Sequence, residues 1–159
     1  MNNWYQVKVK YTKQLENGKF KRVSEPYLIN AISFTDAENR AYEEIGQMIR
    51  GEFSITGCNP KNFADVVEHD NVDYWFEGTI KFQSMEDEKS KAVTQKILVS
   101  GADISDAFDN IKENCNKFMS DYEIVGISKS SILDVFPYKS SDESEISEVE
   151  FESETEENI

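Results

Sequence analysis

Histidine occurs once in this chain of 159 residues and cysteine only twice, and that scarcity removes several chemistries at the outset. His69 stands between Glu68 and Asp70 in a polar stretch, and no Cys/His cluster has metal-ligand spacing. Glu68, His69, Asp70 and Asp73 are better read as a solvated acidic linker than as a divalent-cation site. Cys58 and Cys115 fall at unmatched positions, as reduced and mostly buried thiols of a cytosolic protein would. There is no nucleophile elbow, Walker loop, Gly-x-Gly-x-x-Gly or Cys-x-x-Cys. No apolar stretch approaches the ~20 residues of a membrane span, and the N-terminus lacks the charged region and apolar run of a secretion signal. The expectation is a soluble, non-catalytic cytosolic protein, with no cofactor and no membrane partner.

Basic residues are missing altogether from residues 140–159, which hold nine acids. The overall charge of −14 therefore misleads: residues 1–139 carry 17 Lys and Arg against 22 acids. Residues 1–30 even reverse the sign, with Lys8, Lys10, Lys13, Lys19, Lys21 and Arg22 against Glu16 and Glu25. A cationic surface is available despite the low isoelectric point. The Ser/Glu tail, with isolated Ile146, Val149 and Phe151, buries too little apolar surface to offset its ordering entropy and is expected to be disordered.

What is present in abundance is self-similarity. Trp4-Tyr5-Gln6-Val7-Lys8-Val9-Lys10-Tyr11 returns as Trp75-Phe76-Glu77-Gly78-Thr79-Ile80-Lys81-Phe82, and Leu28-Ile29-Asn30-Ala31 returns as Leu98-Val99-Ser100-Gly101. The echo continues from Phe53-Ser54-Ile55-Thr56-Gly57 to Tyr122-Glu123-Ile124-Val125-Gly126. At a spacing of about 70 residues the period exceeds that of solenoids. Repeats at 4–67 and 75–136 would build one folded body, residues 1–139, with 140–159 as its tail.

Within each repeat the first segment alternates with period two, setting Tyr5, Val7, Val9 and Tyr11 on one face and Trp4, Gln6, Lys8 and Lys10 on the other. Asn17-Gly18 predicts a tight hairpin between strands at 4–13 and 19–32; a longer charged loop, Met85 to Lys91, takes its place in the second repeat. Pro26 argues for an edge, a bulge or a late strand start. Thr35, in a capping box with Glu38, and Ser105 are the expected helix caps, with Ala37, Ala41, Ile45, Met48 and Ile49 or Ala107, Phe108, Ile111, Cys115, Phe118 and Met119 as the apolar stripes. The first helix should reach Arg50 and stop at Gly51. A strand and a short final apolar element follow each helix. The fold class is α+β: a duplicated ββαβ(β) unit forming a pseudo-twofold antiparallel sheet with two helices on one face. Whether the units pack side by side or exchange strands stays open.

Glu25-Pro26-Tyr27-Leu28 before Ala31-Ile32-Ser33-Phe34-Thr35, then Gly51-Glu52-Phe53, and at the end Leu133-Asp134-Val135-Phe136-Pro137-Tyr138, resemble a domain-of-unknown-function family. That family is found in Bacteroides-type gut bacteria and their tailed, crAss-like phages. The resemblance spans roughly residues 1 to 138 and implies a phage or bacterial cytoplasmic setting; it supplies no catalytic residues.

Two constellations remain. Asp65 and Asp134 occupy the same place in both repeats, and a pseudo-twofold axis could bring them together as paired carboxylates; turn formation explains each equally well. Trp4, Lys8 and Lys10, with Trp75 and Lys81, combine indoles and ammonium groups on an open strand face, and Lys19, Lys21 and Arg22 extend the cationic track. Unpaired bases stack on such rings and phosphates follow such cations. The competing reading is that both indoles cover the sheet edge or pack between the repeats, and that the alternating lysines merely solvate an exposed strand. The expected function is single-stranded DNA or RNA binding by a phage replication or recombination accessory, restrained by its acidic tail. The alternative is a protein-interaction module acting through its acidic surface and tail, and edge-strand pairing into a homodimer is compatible with either.

Overall fold

The computed structural model describes residues 3–70, 72–86, 89–118 and 121–138; the expected disordered tail at 140–159 lies outside the described residues. β1 (Asn3–Gln14) and β2 (Phe20–Ala31) pair as an antiparallel hairpin. Its connection closes through Leu15 N–H to Lys19 O (2.7 Å) and Gly18 N–H to Leu15 O (2.9 Å). Gly18 there takes a φ of 83°, which only glycine enters without a Cβ penalty. In the second half β5 (Tyr74–Glu86) and β6 (Lys89–Gly101) run further than the alternation predicts. The charged loop expected at Met85 to Lys91 is partly strand, β5 including Met85 and Glu86 and β6 including Lys89 to Lys91.

α1 (Phe34–Gly46) follows β2, and α2 (Ile104–Phe118) follows β6. Both start one turn-residue pair earlier than Thr35 and Ser105 suggest. Ser33 Oγ accepts from Asp36 N–H (3.1 Å) while Asp36 Oδ2 accepts from Ile32 N–H (3.0 Å). Asp103 and Asp106 repeat the exchange, with Asp106 N–H to Asp103 Oδ1 and Ala102 N–H to Asp106 Oδ2 both at 2.8 Å. A short carboxylate closes the box where a Glu was expected to, and it satisfies two otherwise free donors per helix. α1 also ends at Gly46 rather than near Arg50, and Gly51, with φ of 97°, belongs to the turn beyond it.

After each helix a strand rejoins its own hairpin: β3 (Phe53–Lys61) on β1, and β7 (Tyr122–Lys129) on β5. The last strands do not. β4 (Phe63–Val67) is separated from β3 by Asn62 alone, yet Lys61 pairs with Trp4 while Phe63 pairs with Lys96 of the other half. β8 (Val135–Phe136) crosses the opposite way to pair with Leu28 and Ile29. Two four-stranded sheets result, β3-β1-β2-β8 and β4-β6-β5-β7, in place of the single antiparallel sheet expected. Each is mixed, because the crossing strand adds in parallel. Pro26 fits this arrangement. Its carbonyl accepts from Leu133 N–H and the neighbouring Leu28 N–H donates to Asp134 O, both at 3.0 Å. That alternation turns the proline nitrogen away from β1, so no bond of the β1–β2 ladder is lost.

The core has three parts. Tyr5, Val7, Val9, Tyr27 and Ile29 close against Ala37, Ala41 and Ile45 of α1. Phe76, Ile80, Ile97 and Val99 close against Ala107, Ile111 and Cys115 of α2. The third joins the faces that carry no helix: Leu28, Trp75, Leu98 and Ile132, flanked by Trp4, Phe63, Val66 and Val135. At roughly 1.5–3 kcal/mol for each large side chain fully removed from water, this third cluster is what binds the two halves together.

Candidate functional site

Register and alternation define the face of the first sheet that looks away from α1. Trp4, Lys8 and Lys10 lie on it from β1, Arg22 from β2 opposite Thr12, and Lys61 from β3 opposite Trp4. β1, β2 and β3 place no carboxylate among them, since Glu25 pairs with Val9 and lies on the other side. Lys8, Lys10, Arg22 and Lys61 are all exposed. Four cations thus share a strand surface without a counter-ion among the described residues.

The corresponding face of the second sheet is neutralised from within. Lys96 Nζ lies 2.9 Å from Glu77 Oε1, and Lys81 stands directly across from Glu123 in the β5–β7 ladder. Lys81, expected to contact phosphates, therefore has an acid beside it. Lys19 and Lys21 sit at the hairpin end of the first sheet, Lys21 on the α1 side of the strand opposite Lys13. They extend the positive region around the tip, off the face that holds Lys8 and Lys10.

The two indoles separate. Trp75 is 3% exposed, closed into the cluster with Leu28, Leu98 and Ile132, so neither of its faces is free for a base and the stacking role expected of it is withdrawn. Packing between the halves wins because an indole removes more apolar area from water there than on a surface. Trp4 is only half-buried. It lines a groove of about 560 Å³ with Lys61, Asn62 and Phe63 on one side and Thr94, Gln95 and Lys96 on the other. Phe63 reads in the sequence only as the start of a final apolar element, and Lys61 carries no signal because Cys58 to Asn62 reads as a polar break; the strand instead continues to Lys61 and changes sheets at Asn62.

The carboxylate pair does not form. Asp65 enters the second sheet with β4, its Oδ1 accepting from Val66 N–H (2.9 Å) and its Oδ2 from Asn114 of α2 (3.4 Å). Asp134 leads into β8 of the first sheet and accepts from Val135 N–H (2.9 Å). Asp65 lies within β4 and Asp134 immediately before β8, each accepting from the next backbone N–H, in different sheets. Glu68, His69, Asp70, Asp106, Asn110 and Glu113 line a separate acidic cavity. His69 is held through its backbone by the Ser100 hydroxyl (2.7 Å). Among the described residues no three His, Cys, Asp or Glu side chains converge closely enough to hold a metal ion. Both thiols are free; burial raises the pKa of Cys58 and Cys115, with Glu38 adding to the shift at Cys58. Among the described residues no helix is long and apolar enough to cross a membrane.

The end of the second half is tied to the first by one side chain. Arg40 of α1 donates to the carbonyls of Asn30, Phe136 and Pro137, and its guanidinium lies 5.1 Å from the Tyr138 ring centroid.

No curated protein matches this chain. One family does, through residues 3–138, and the chain belongs to it: the family described as Domain of unknown function (DUF4494).

Proposed function

We propose that the protein is a non-catalytic single-stranded nucleic-acid-binding protein whose phosphate contacts are made by Lys8, Lys10, Arg22 and Lys61. The acid-free face of the first sheet carries this reading. Four unpaired cations along neighbouring strands repel one another, and a polyanion laid across them relieves that repulsion and releases its own counter-ions. Lys19 and Lys21 prolong the track at the hairpin tip. Lys81 contributes weakly beside Glu123, and Trp75 has no part in contact.

The nine acids of residues 140–159 complete the proposal as a competitor for the same face. They follow directly on the segment that Arg40 holds at the edge of that sheet. The correspondence of strand order between the halves supports an origin by duplication of one unit whose last strand is exchanged. A phage replication or recombination accessory working in a bacterial cytoplasm is the setting we assign.

The test is fluorescence anisotropy of a labelled oligo-dT across a salt series. With four phosphate contacts the affinity should fall with a log–log slope of about −3. Lys8→Glu combined with Lys10→Glu should abolish binding, and truncation after residue 139 should strengthen it. Equal binding by the double variant and the wild type would overturn the proposal. A protein partner, the second reading, is favoured by the acidic surplus of residues 68–139, eight basic against 14 acidic. Recovery of the same partners by full-length and tail-deleted protein would remove the tail from that reading.

A further inference from the structure

The groove at the sheet switch has a composition that the cationic face alone does not explain. We infer that it is a subsite for one unpaired nucleotide, the base lying against Trp4 and Phe63 and its phosphate meeting Lys61. The inference rests on the nucleic-acid reading above and deepens it.

Four observations converge there. The groove, about 560 Å³, falls in the range of small-ligand sites. Trp4 and Phe63 are half-buried members of the cluster between the sheets, so their rings are fixed by packing from behind while the groove reaches them from outside. A planar base gains stacking from such rings with little ordering cost to the protein. Lys61 stands directly opposite Trp4 in the β1–β3 ladder and makes no ion pair among the described residues. Lys96, the other cation of the groove, is already engaged by Glu77 at 2.9 Å, leaving Lys61 as the charge that an incoming anion meets. Asn62, Gln95 and Thr94 add amide and hydroxyl groups at the rim, suited to the hydrogen-bonding edge of a base. A neutral sugar would use the rings and amides but has no need of Lys61.

The corresponding place in the second half is closed. Trp75 is sealed by Leu28, Leu98 and Ile132, and Ser130 N–H donates to its carbonyl at 2.8 Å. The return from β7 to β8 is four residues longer than the single Asn62 between β3 and β4, and Ile132 from that longer return fills the space. The first half's groove therefore has no open counterpart at the matching place among the described residues of the second half.

Thymidine monophosphate, thymidine and inorganic phosphate, each titrated into the full-length protein, test this through intrinsic fluorescence. The monophosphate should quench saturably, and Trp4→Phe should remove the quench because Trp75 is shielded. Lys61→Ala, on an exposed edge-strand position, should weaken the monophosphate about tenfold and leave thymidine unchanged. Phe63→Leu should weaken both, with an unaltered far-ultraviolet circular dichroism spectrum showing that the fold is kept. Absence of saturable quenching, or a monophosphate affinity indifferent to Lys61→Ala, overturns the subsite. Oligo-dT that binds with a steep salt slope while the monophosphate does not bind keeps the cationic face and removes the groove from it. Monophosphate binding that depends on Lys61 without any oligo-dT binding supports the subsite and defeats the polynucleotide reading.

Discussion

The two halves share a strand order and differ in what they do with volume and charge at matching positions. On the first sheet Lys8, Lys10, Arg22 and Lys61 have no acid among them; on the second, Glu77 and Glu123 stand beside Lys96 and Lys81. On the sides facing the helices, Tyr11, Glu25 and Tyr27 form a polar group where the second half has Phe82, Gln95 and Ile97. Glu25 Oε2 accepts from both phenols, at 2.9 and 3.0 Å. A half that only had to be stable could resemble the second throughout. The first keeps like charges together and a carboxylate partly buried, both of which cost stability, and the cost falls on the face and hairpin assigned to binding.

The comparison breaks most severely at the matched indoles. Trp75→Ala should destabilise by about 3–5 kcal/mol, since it opens the cluster joining the halves. Trp4→Ala should cost clearly less, because its ring is half-exposed at the groove. Urea unfolding of both variants checks this, and equal costs would mean that Trp4 is as deeply packed as Trp75.

A volume exchange comes next. Val7 and Ala41 share the first core where Gly78 and Ile111 share the second. A Cβ at Gly78 would lie 2.6 Å from Ile111 Cδ1, so a side chain there requires the end of Ile111 to move, a matter of space rather than of backbone freedom. Ile111→Ala should cost about 2–5 kcal/mol through a cavity, and Gly78→Val about 1–3 kcal/mol through overpacking. Together they recreate the first half's pair, and the double variant should be more stable than the sum of the single losses predicts. Strict additivity in the double-mutant cycle would show that the two sites do not trade volume.

These particulars also show what a sequence can reveal. Strand alternation, the centres of the apolar stripes and the hairpins were legible because each depends on neighbours close along the chain, whereas Met48 and Phe108, assigned to the same stripes, are exposed. The sheet exchange was not, because Phe63–Val67 and Val135–Phe136 are apolar runs that would complete either sheet; the choice depends on which edge lies within reach after Asn62 or Ser130. The fate of the indoles followed from that exchange, since the same Trp at the same alternation is covered by Ile132 in one half and left beside a groove in the other. The helix caps failed for a different reason. Thr35-x-x-Glu38 and Ser33-x-x-Asp36 both fit a capping box, and only the reach of Asp36 to Ile32 N–H separates them. Lys8 and Lys10 were readable as a cationic face; Lys61 required knowing that β3 runs beside β1.

A pH contrast sharpens the difference at the polar group. Burial first, then the hydrogen bond to Glu25 and its negative charge, raise the Tyr11 pKa from 10.0 to about 12. The same causes raise Tyr27, with burial again leading. A phenol whose folded pKa lies above its unfolded one keeps its full stabilising contribution below the unfolded value and loses it as pH climbs to the folded value. Stability should therefore decline between about pH 10 and pH 12 in the wild type. It should decline less in Tyr11→Phe, which places in the first half the residue type that the second half has at Phe82. Denaturation midpoints across that window decide it, and identical declines would assign the alkaline loss to other groups.

The smallest effect separates stability from binding in a single side chain. Lys13 and Lys21 face each other directly across β1 and β2, whereas the matching pair in the second half is Ser84 and Lys91. Like charges at directly opposed positions destabilise a hairpin, and opposite charges support it by roughly 0.2–1 kcal/mol. Lys21→Glu should accordingly raise the unfolding midpoint slightly while lowering oligo-dT affinity and flattening its salt dependence. Lys91→Glu, at the matching place in the half without a cationic face, should leave binding nearly unchanged. Two opposed signs from Lys21→Glu would mean that the repulsion at the hairpin tip is retained for the polyanion it receives; a loss of stability together with a loss of binding would reduce Lys21 to an ordinary packing residue.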